Sequence, residues 1–308
     1  MNGLALRPQR SWLAWRLALL CIGLLGGLAA ADAHAAQSVW ELTPYRIRVL
    51  LAIASKPELT ERLAEQVRAI VTERADSSIG AAWDLHFEPA PAALQTAMLA
   101  SLDTMTATSL PAELLDGDDD KAILLAIDYR HGDYLVGARD FDLRCRLDTA
   151  AVYRSVADRA TLGDEAFRAV AAAFAPLAQV ESDPDKEDKA RFKLRLRAGA
   201  LPVADPTLIS VRPGDVFRGA IRFNDRDGKL RKLMPLDWTF LTVQEVNGSE
   251  LAANLHSGLR SPLSGRRRGR SEQLALLTRP PGGSTRLQLG SRALAGKPGS
   301  SRPLAGYD

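Results

Sequence analysis

Cysteine is almost missing: the 308 residues hold two, Cys21 and Cys145. Cys21 lies inside an N-terminal apolar run. If that run is removed, Cys145 has no partner, which excludes an intrachain disulfide in an oxidising compartment. Histidine is equally scarce, with 4 in the chain. Beyond the N-terminal segment, His86, His131 and His256 fall in different predicted elements, and no pair stands at metal-ligand spacing. No serine occupies a G-x-S-x-G turn and no glycine-rich phosphate loop occurs, so these marked hydrolase and nucleotide signatures are absent. Nothing in the chain points to a metal or a cofactor. Aromatics make up 6% of the residues. The basic C-terminal stretch 256–308 contains only Tyr307, so the stacking that usually accompanies nucleic-acid binding is lacking.

What is present begins at the N-terminus. Arg7, Arg10 and Arg16 precede the uncharged apolar run Leu17–Ala30, and Ala33-His34-Ala35 follows. A basic start, a short greasy centre and small residues at a cleavage position form the grammar of a secretory signal, here residues 1–35. A retained anchor wants about 20 apolar residues, and this core is shorter. Cys21 follows Leu19-Leu20 early in the core, not the small residues that would mark a lipoprotein, and no arginine pair signals the twin-arginine route. Cleavage removes three arginines and Asp32, so the full-length charge of +3 falls close to neutral. The mature chain is expected to carry no transmembrane span.

Residues 36–200 alternate strand and helix patterns, a mixed α/β layer domain. Tyr45–Ile53 alternates and then turns fully apolar, as a strand entering a sheet does. Pro57-Glu58 reads as a helix start, with Leu59, Leu63, Val67, Ile70 and Val71 at helical spacing. Trp83, Leu85 and Phe87 alternate with Asp84, His86 and Glu88 as a second strand. Pro91–Leu102 reads as a helix, and Lys121–Tyr129 and Tyr134–Leu143 as strands joined by a tight Arg130–Asp133 turn. Thr149–Pro176 reads as one alanine-rich helix broken at Gly163. A hairpin, Ala178–Glu181 with Arg191–Leu196 across the charged turn 182–189, completes the layer. From residue 201 to 292 helical periodicity disappears. Short strands separated by Pro-Gly, Asp-Gly, Asn-Gly and Gly-Gly suit a small β-barrel, closing with a hairpin of 274–279 and 285–289. Residues 293–308, rich in Pro, Gly and Ser, read as a disordered tail.

Charge is unevenly spread. Between Pro111 and Ala190, 18 acidic residues face 10 basic ones, whereas from His256 to Asp308 the count is 2 acidic to 10 basic. The run Asp116-Gly117-Asp118-Asp119-Asp120 suggests calcium, but an EF-hand loop needs glycine at its sixth place and glutamate at its twelfth. Lys121 and Ile127 stand there, so a solvated acidic loop is expected. Asp225-Arg226-Asp227-Gly228 reads as a hairpin turn. For catalysis the candidates are Asp128, His131, Asp133 and Asp140: carboxylates on one hairpin, with an imidazole that two of them could orient for general-base work. Cys145, between Arg144 and Arg146, reads as a small buried apolar residue. For binding the candidates are Arg266, Arg267, Arg268 and Arg270, where an envelope protein or an anionic envelope surface is the expected partner.

The order V-R-P-G-D-V-F at Val211–Phe217, a hairpin, and W-T-F-L-T-V-Q-E at Trp238–Glu245 resembles bacterial SH3-like barrels. With S-G-L-R-S-P-L-S-G-R-R-R-G-R, R-P-P-G-G-S-T-R-L and R-P-L-A-G-Y-D, about the last hundred residues are similar to uncharacterised exported bacterial proteins. In that family such a segment precedes a carboxypeptidase-regulatory-like β-sandwich. The resemblance implies an SH3-like β domain and a docking or binding role, and it carries no catalytic motif.

Two readings follow. In the first the chain is a non-catalytic exported adaptor, periplasmic or extracellular, acting through protein or anionic-surface contacts. In the second it is an envelope-directed hydrolase using carboxylates of the α/β domain. An enzyme should bring those carboxylates together in a cleft; an adaptor should disperse them and carry an apolar patch on its barrel. Whichever holds, N-terminal sequencing of the exported protein is expected to begin at Ala36. Retention of residues 1–30 would contradict the signal reading.

Overall fold

Tyr45–Ile53 (β1) is the strand on which the first half is built. A computed structural model describes residues 39–181, 190–226, 228–259, 262–263 and 270–279. The signal-like segment, the 182–189 turn, the expected 285–289 strand and the tail therefore lie outside the described residues.

β1 pairs in parallel with Trp83–Pro89 (β2) on one side and Lys121–Arg130 (β3) on the other. β3 turns into Asp133–Asp142 (β4) through His131 and Gly132, both at positive φ (54° and 94°), the geometry of a two-residue hairpin loop. The short strand Leu147–Asp148 (β5) and Val152–Val156 (β6) both pair with β4, giving a mixed sheet in the order β2-β1-β3-β4-β5, with β6 also on β4. β6 corrects the expectation of one long helix after Thr149. Val152, Tyr153 and Val156 are strand formers, and pairing with Tyr134–Ala138 outweighs local alanine content.

Helices cover both faces. Glu61–Ser78 (α2, counting the short Val39–Leu42 turn as α1) buries Leu63, Ala64, Val67, Val71 and Ala75. It starts four residues later than expected, because the Thr60 hydroxyl accepts a hydrogen bond from the Leu63 amide at 3.3 Å. Leu162–Ala173, labelled α5 below, packs beside α2 on the same face. Gly163 lies within its first turn and does not break it: a Cβ there would stand 2.6 Å from Ile70 Cδ1, so glycine permits the close approach. Ala92–Ala100 (α3) covers the other face, placing Leu94 and Met98 over Leu50, Ala52 and Leu124. A one-turn helix, Ala112–Leu115 (α4), leads into the acidic run.

The second half is a closed, antiparallel six-stranded barrel in the order β10-β11-β8-β7-β12-β9. Its strands are Leu177–Val180 (β7), Arg191–Leu196 (β8), Val216–Asn224 (β9), Leu230–Asn247 (β10), Glu250–Ser257 (β11) and Ser271–Thr278 (β12). The β7–β8 hairpin, expected with the α/β layer, belongs to the barrel. Its free edges bond β12 and β11, and alternation within a strand says nothing of which sheet receives it. Buried apolar residues form one continuous cluster from Ile47 and Val71 in the layer to Leu241 and Leu276 in the barrel. No helix among the described residues is long and apolar enough to cross a membrane.

Candidate functional site

Lys121 begins a strand whose next six residues are apolar, and its side chain is fully buried. The hairpin register sets it opposite Asp142 and two residues from the level of Asp140, and its ammonium reaches Asp140 Oδ2 at 2.9 Å and Asp142 Oδ2 at 3.1 Å. Burial alone would push Lys121 down; the two carboxylates reverse this and hold the ammonium above its usual range. Burial pushes the Asp140 carboxyl up despite Lys121, since one ammonium faces two carboxylates. Asp140 Oδ2 also accepts from the Ala175 amide, and Asp142 Oδ1 from the Arg144 and Cys145 amides. The candidate Asp140 is therefore a structural anchor at the exit of α5.

Around this cluster the layer is tied to the barrel. The Tyr45 hydroxyl accepts from the Leu177 amide at 2.9 Å and donates to the Leu177 carbonyl at 3.3 Å. Asp120 Oδ2 accepts from Arg197 at 2.6 Å and from the Arg46 amide at 3.0 Å. Arg144 pairs with Glu272 of β12 at 3.1 Å, and Trp40 lies under both Arg144 and Arg197. The expectation of a solvated acidic loop is thus half corrected. Asp116 and Asp118 are exposed, but the Asp119 side chain, 10% exposed, is paired with Arg48, and Asp120 is buried, because arginines from three strands or their connections neutralise them. Cys145 is buried, and burial beside Asp142 holds its thiol well above the usual range, so it is an inert packing residue.

The other catalytic candidates gather only in part. Asp128 and Asp133 lie two residues apart across the β3–β4 ladder. Asp128 is held by Lys56 at 2.8 Å and by Arg130; these bonds outweigh its burial and keep its carboxyl below the usual range. Asp133 accepts from Ser155 at 2.7 Å. His131 is exposed at the turn. Asp140 faces Ile123, five positions along β4 from the residue opposite Asp128, or roughly 17 Å at strand rise. None of the four lines the cleft of about 850 Å³ between α2 and β2 or the polar one of about 710 Å³ beside Asp119, Arg144 and Arg222. Among the described residues no group of three or more His, Cys, Asp and Glu side chains is placed to hold a metal ion.

The barrel surface carries what the sequence did not single out. β10 is irregular between Pro235 and Phe240, and there Trp238 takes a left-handed φ of 57° with 78% of its surface exposed. Phe240 and Met234 of the same strand are exposed, as is Leu259 on the connection after β11. The Gly258 amide donates to the Trp238 carbonyl at 3.0 Å, holding the bulge against the start of the 258–270 connection. That connection carries the arginine run. Arg266, Arg267 and Arg268 lie outside the described residues; Arg270 is exposed, and its carbonyl accepts from the Asn224 amide.

No family model matches the chain, and no curated protein matches it. Solved structures that align with part of the chain include two bacterial proteins. The lipoprotein GNA1162 of Neisseria meningitidis aligns at 17% identity over 37% of this chain and 81% of that one, with a TM-score of 0.24. TolB from Acinetobacter baumannii aligns at 11% identity over 68% of this chain and 57% of its own length, with a TM-score of 0.27. Likenesses at this level say nothing of what the chain does.

The buried cluster has a pH signature. Lys121, Tyr45 and Cys145 all keep their protons above their usual values of 10.5, 10.0 and 9.0, so above about pH 9 the unfolded chain loses protons first. Stability is expected to be fully present below that pH and to fall as pH rises beyond it. Lys121→Met, which strands two carboxylates, should cost about 3–5 kcal/mol in urea unfolding and flatten the alkaline slope. An unchanged midpoint would contradict the burial of the charge.

Proposed function

We propose that the chain is an exported, non-catalytic binding module of the cell envelope, periplasmic or extracellular, in which an α/β layer carries an SH3-like barrel. Its contacts are with envelope protein or an anionic envelope surface. The observation that carries this reading is the outward face of the barrel, where Trp238 stands 78% exposed on strained backbone beside Phe240 and Leu259. Backbone strain of this kind persists where the surroundings impose it and clusters at sites of function. Apolar side chains grouped on an exposed face mark contact surfaces. Arg266, Arg267, Arg268 and Arg270 are the proposed anionic contacts, entering from the connection that begins at Gly258. The V-R-P-G-D-V-F pattern at Val211–Phe217 supports the SH3-like assignment.

The hydrolase reading asks more of the carboxylates than their positions offer. Asp140 is committed to Lys121, and Asp128 to Lys56 and Arg130. The two readings separate by experiment on the mature chain, residues 36–308, with isolated envelope material. Replacing Arg266, Arg267, Arg268 and Arg270 together by serine should reduce binding by about two to three decades at low salt and leave the melting temperature unchanged. Asp128→Asn with Asp133→Asn should leave binding intact. Release of soluble fragments that disappears in the double aspartate variant would overturn the proposal.

A further inference from the structure

We infer that Trp238, with Phe240 and Leu259, is a foot that enters the headgroup region of an anionic lipid bilayer. This rests on the surface-binding reading above and names its partner. Three observations lead there. First, the patch stands out from the surface: Trp238 is 78%, Leu259 52% and Phe240 39% exposed, so it offers a knob and not a socket. A knob needs a deformable partner or a partner with a pocket, and a bilayer surface is the former. Second, its chemistry is that of the interface. Tryptophan joins an apolar ring to a hydrogen-bonding N–H and partitions to headgroup level, where neither water nor hydrocarbon suits it as well. Phe240 is paired across the ladder with Arg218 on β9 and His256 on β11, so the apolar step is flanked by groups of cationic or titratable character.

Third, the strand leading to it is basic. Six Lys/Arg and three Asp lie between Arg218 and Phe240. Arg222 is turned inward, donating to Asn224 and to the Arg144 carbonyl, and Lys229 lines the cleft of the acidic run, but Arg226, Arg231 and Lys232 are exposed. Asp237, beside the tryptophan, is the local exception. Cations on the approach and an aromatic at the tip is the arrangement by which peripheral proteins combine attraction to anionic headgroups with shallow burial. The left-handed backbone at Trp238 keeps the ring out of the barrel: the flanking Leu236 and Thr239 are buried, and the bulged residue is not.

The test uses the mature chain with vesicles of phosphatidylcholine containing 30 mol% phosphatidylglycerol, as an arbitrary anionic probe (roughly physiological charge density), beside pure phosphatidylcholine and a soluble acidic polysaccharide. The parent should sediment with the anionic vesicles, and its tryptophan emission should shift to the blue. Trp238→Gly should weaken that binding about tenfold while the melting temperature holds or rises, because glycine accepts the left-handed φ without strain. Arg231→Ser with Lys232→Ser should weaken it on the order of tenfold at low salt. If the parent binds anionic vesicles and Trp238→Gly binds equally well, the foot is wrong and the arginine-based surface reading stands. Binding to the polysaccharide but not to vesicles likewise overturns the lipid assignment alone. Trp238-dependent self-association without vesicle binding would assign the patch to a second copy and overturn it too. Failure to bind either surface would overturn both readings.

Discussion

The constraint on which the rest depends is one lysine kept in a dry place. Lys121 sits where the N-terminal end of β3, the exit of α5 and the start of β7 meet, and its two carboxylate partners fix that meeting. Asp140 holds the Ala175 amide as the chain leaves α5, and two residues later Tyr45 holds both polar groups of Leu177. Burial of an ion pair seldom adds stability over an apolar pair of equal size, but removing one member is expensive. Such a cluster therefore acts on specificity of arrangement: the barrel can join the sheet in one register, and alternatives leave charge unpaired.

The same arrangement decides what the acidic residues are free to do. Asp119, Asp120, Asp140 and Asp142 face arginine or lysine within the protein, and their charge is paired from inside with Lys121, Arg48, Arg144 and Arg197. The strongly acidic first half thus presents less open acid than its composition suggests. Arg222 and Lys229 meet this seam at the polar cleft beside Asp119 and Arg144, whereas Arg226, Arg231, Lys232 and the bulge at Trp238 are exposed on the barrel. Chemistry turned inward and contact surface turned outward is a division of labour suited to a binding module.

Much of the layer was legible because period and turn chemistry agreed: β1, β2, β3, β4 and the body of α2 lie where alternation and helical spacing put them. Even the lysine cluster was latent. A two-residue loop at His131-Gly132 makes Arg130 face Asp133, and counting back along the hairpin sets Lys121 opposite Asp142. That count requires trusting the loop length, and a lone lysine at a strand's start looks like a solvated end. Two elements were illegible for a different reason. β6 is short and alanine-flanked, so local preference points to helix while pairing with β4 decides. The β7–β8 hairpin reads alike in either sheet, and only long-range partners choose. Trp238 gave a strand signal by residue type; its left-handed backbone belongs to the break in the pairing of β10 with β9 between Pro235 and Phe240, which no local pattern encodes.

Layer and barrel form one body through buried charge, and the Asp120–Arg197 bond joins them most directly. A double-mutant cycle with Asp120→Asn and Arg197→Gln in urea unfolding measures it directly. The account predicts a coupling energy on the order of 2 kcal/mol, with one cooperative transition in the parent. Effects that add within about 0.5 kcal/mol, or a parent that unfolds in two separate steps, would contradict it.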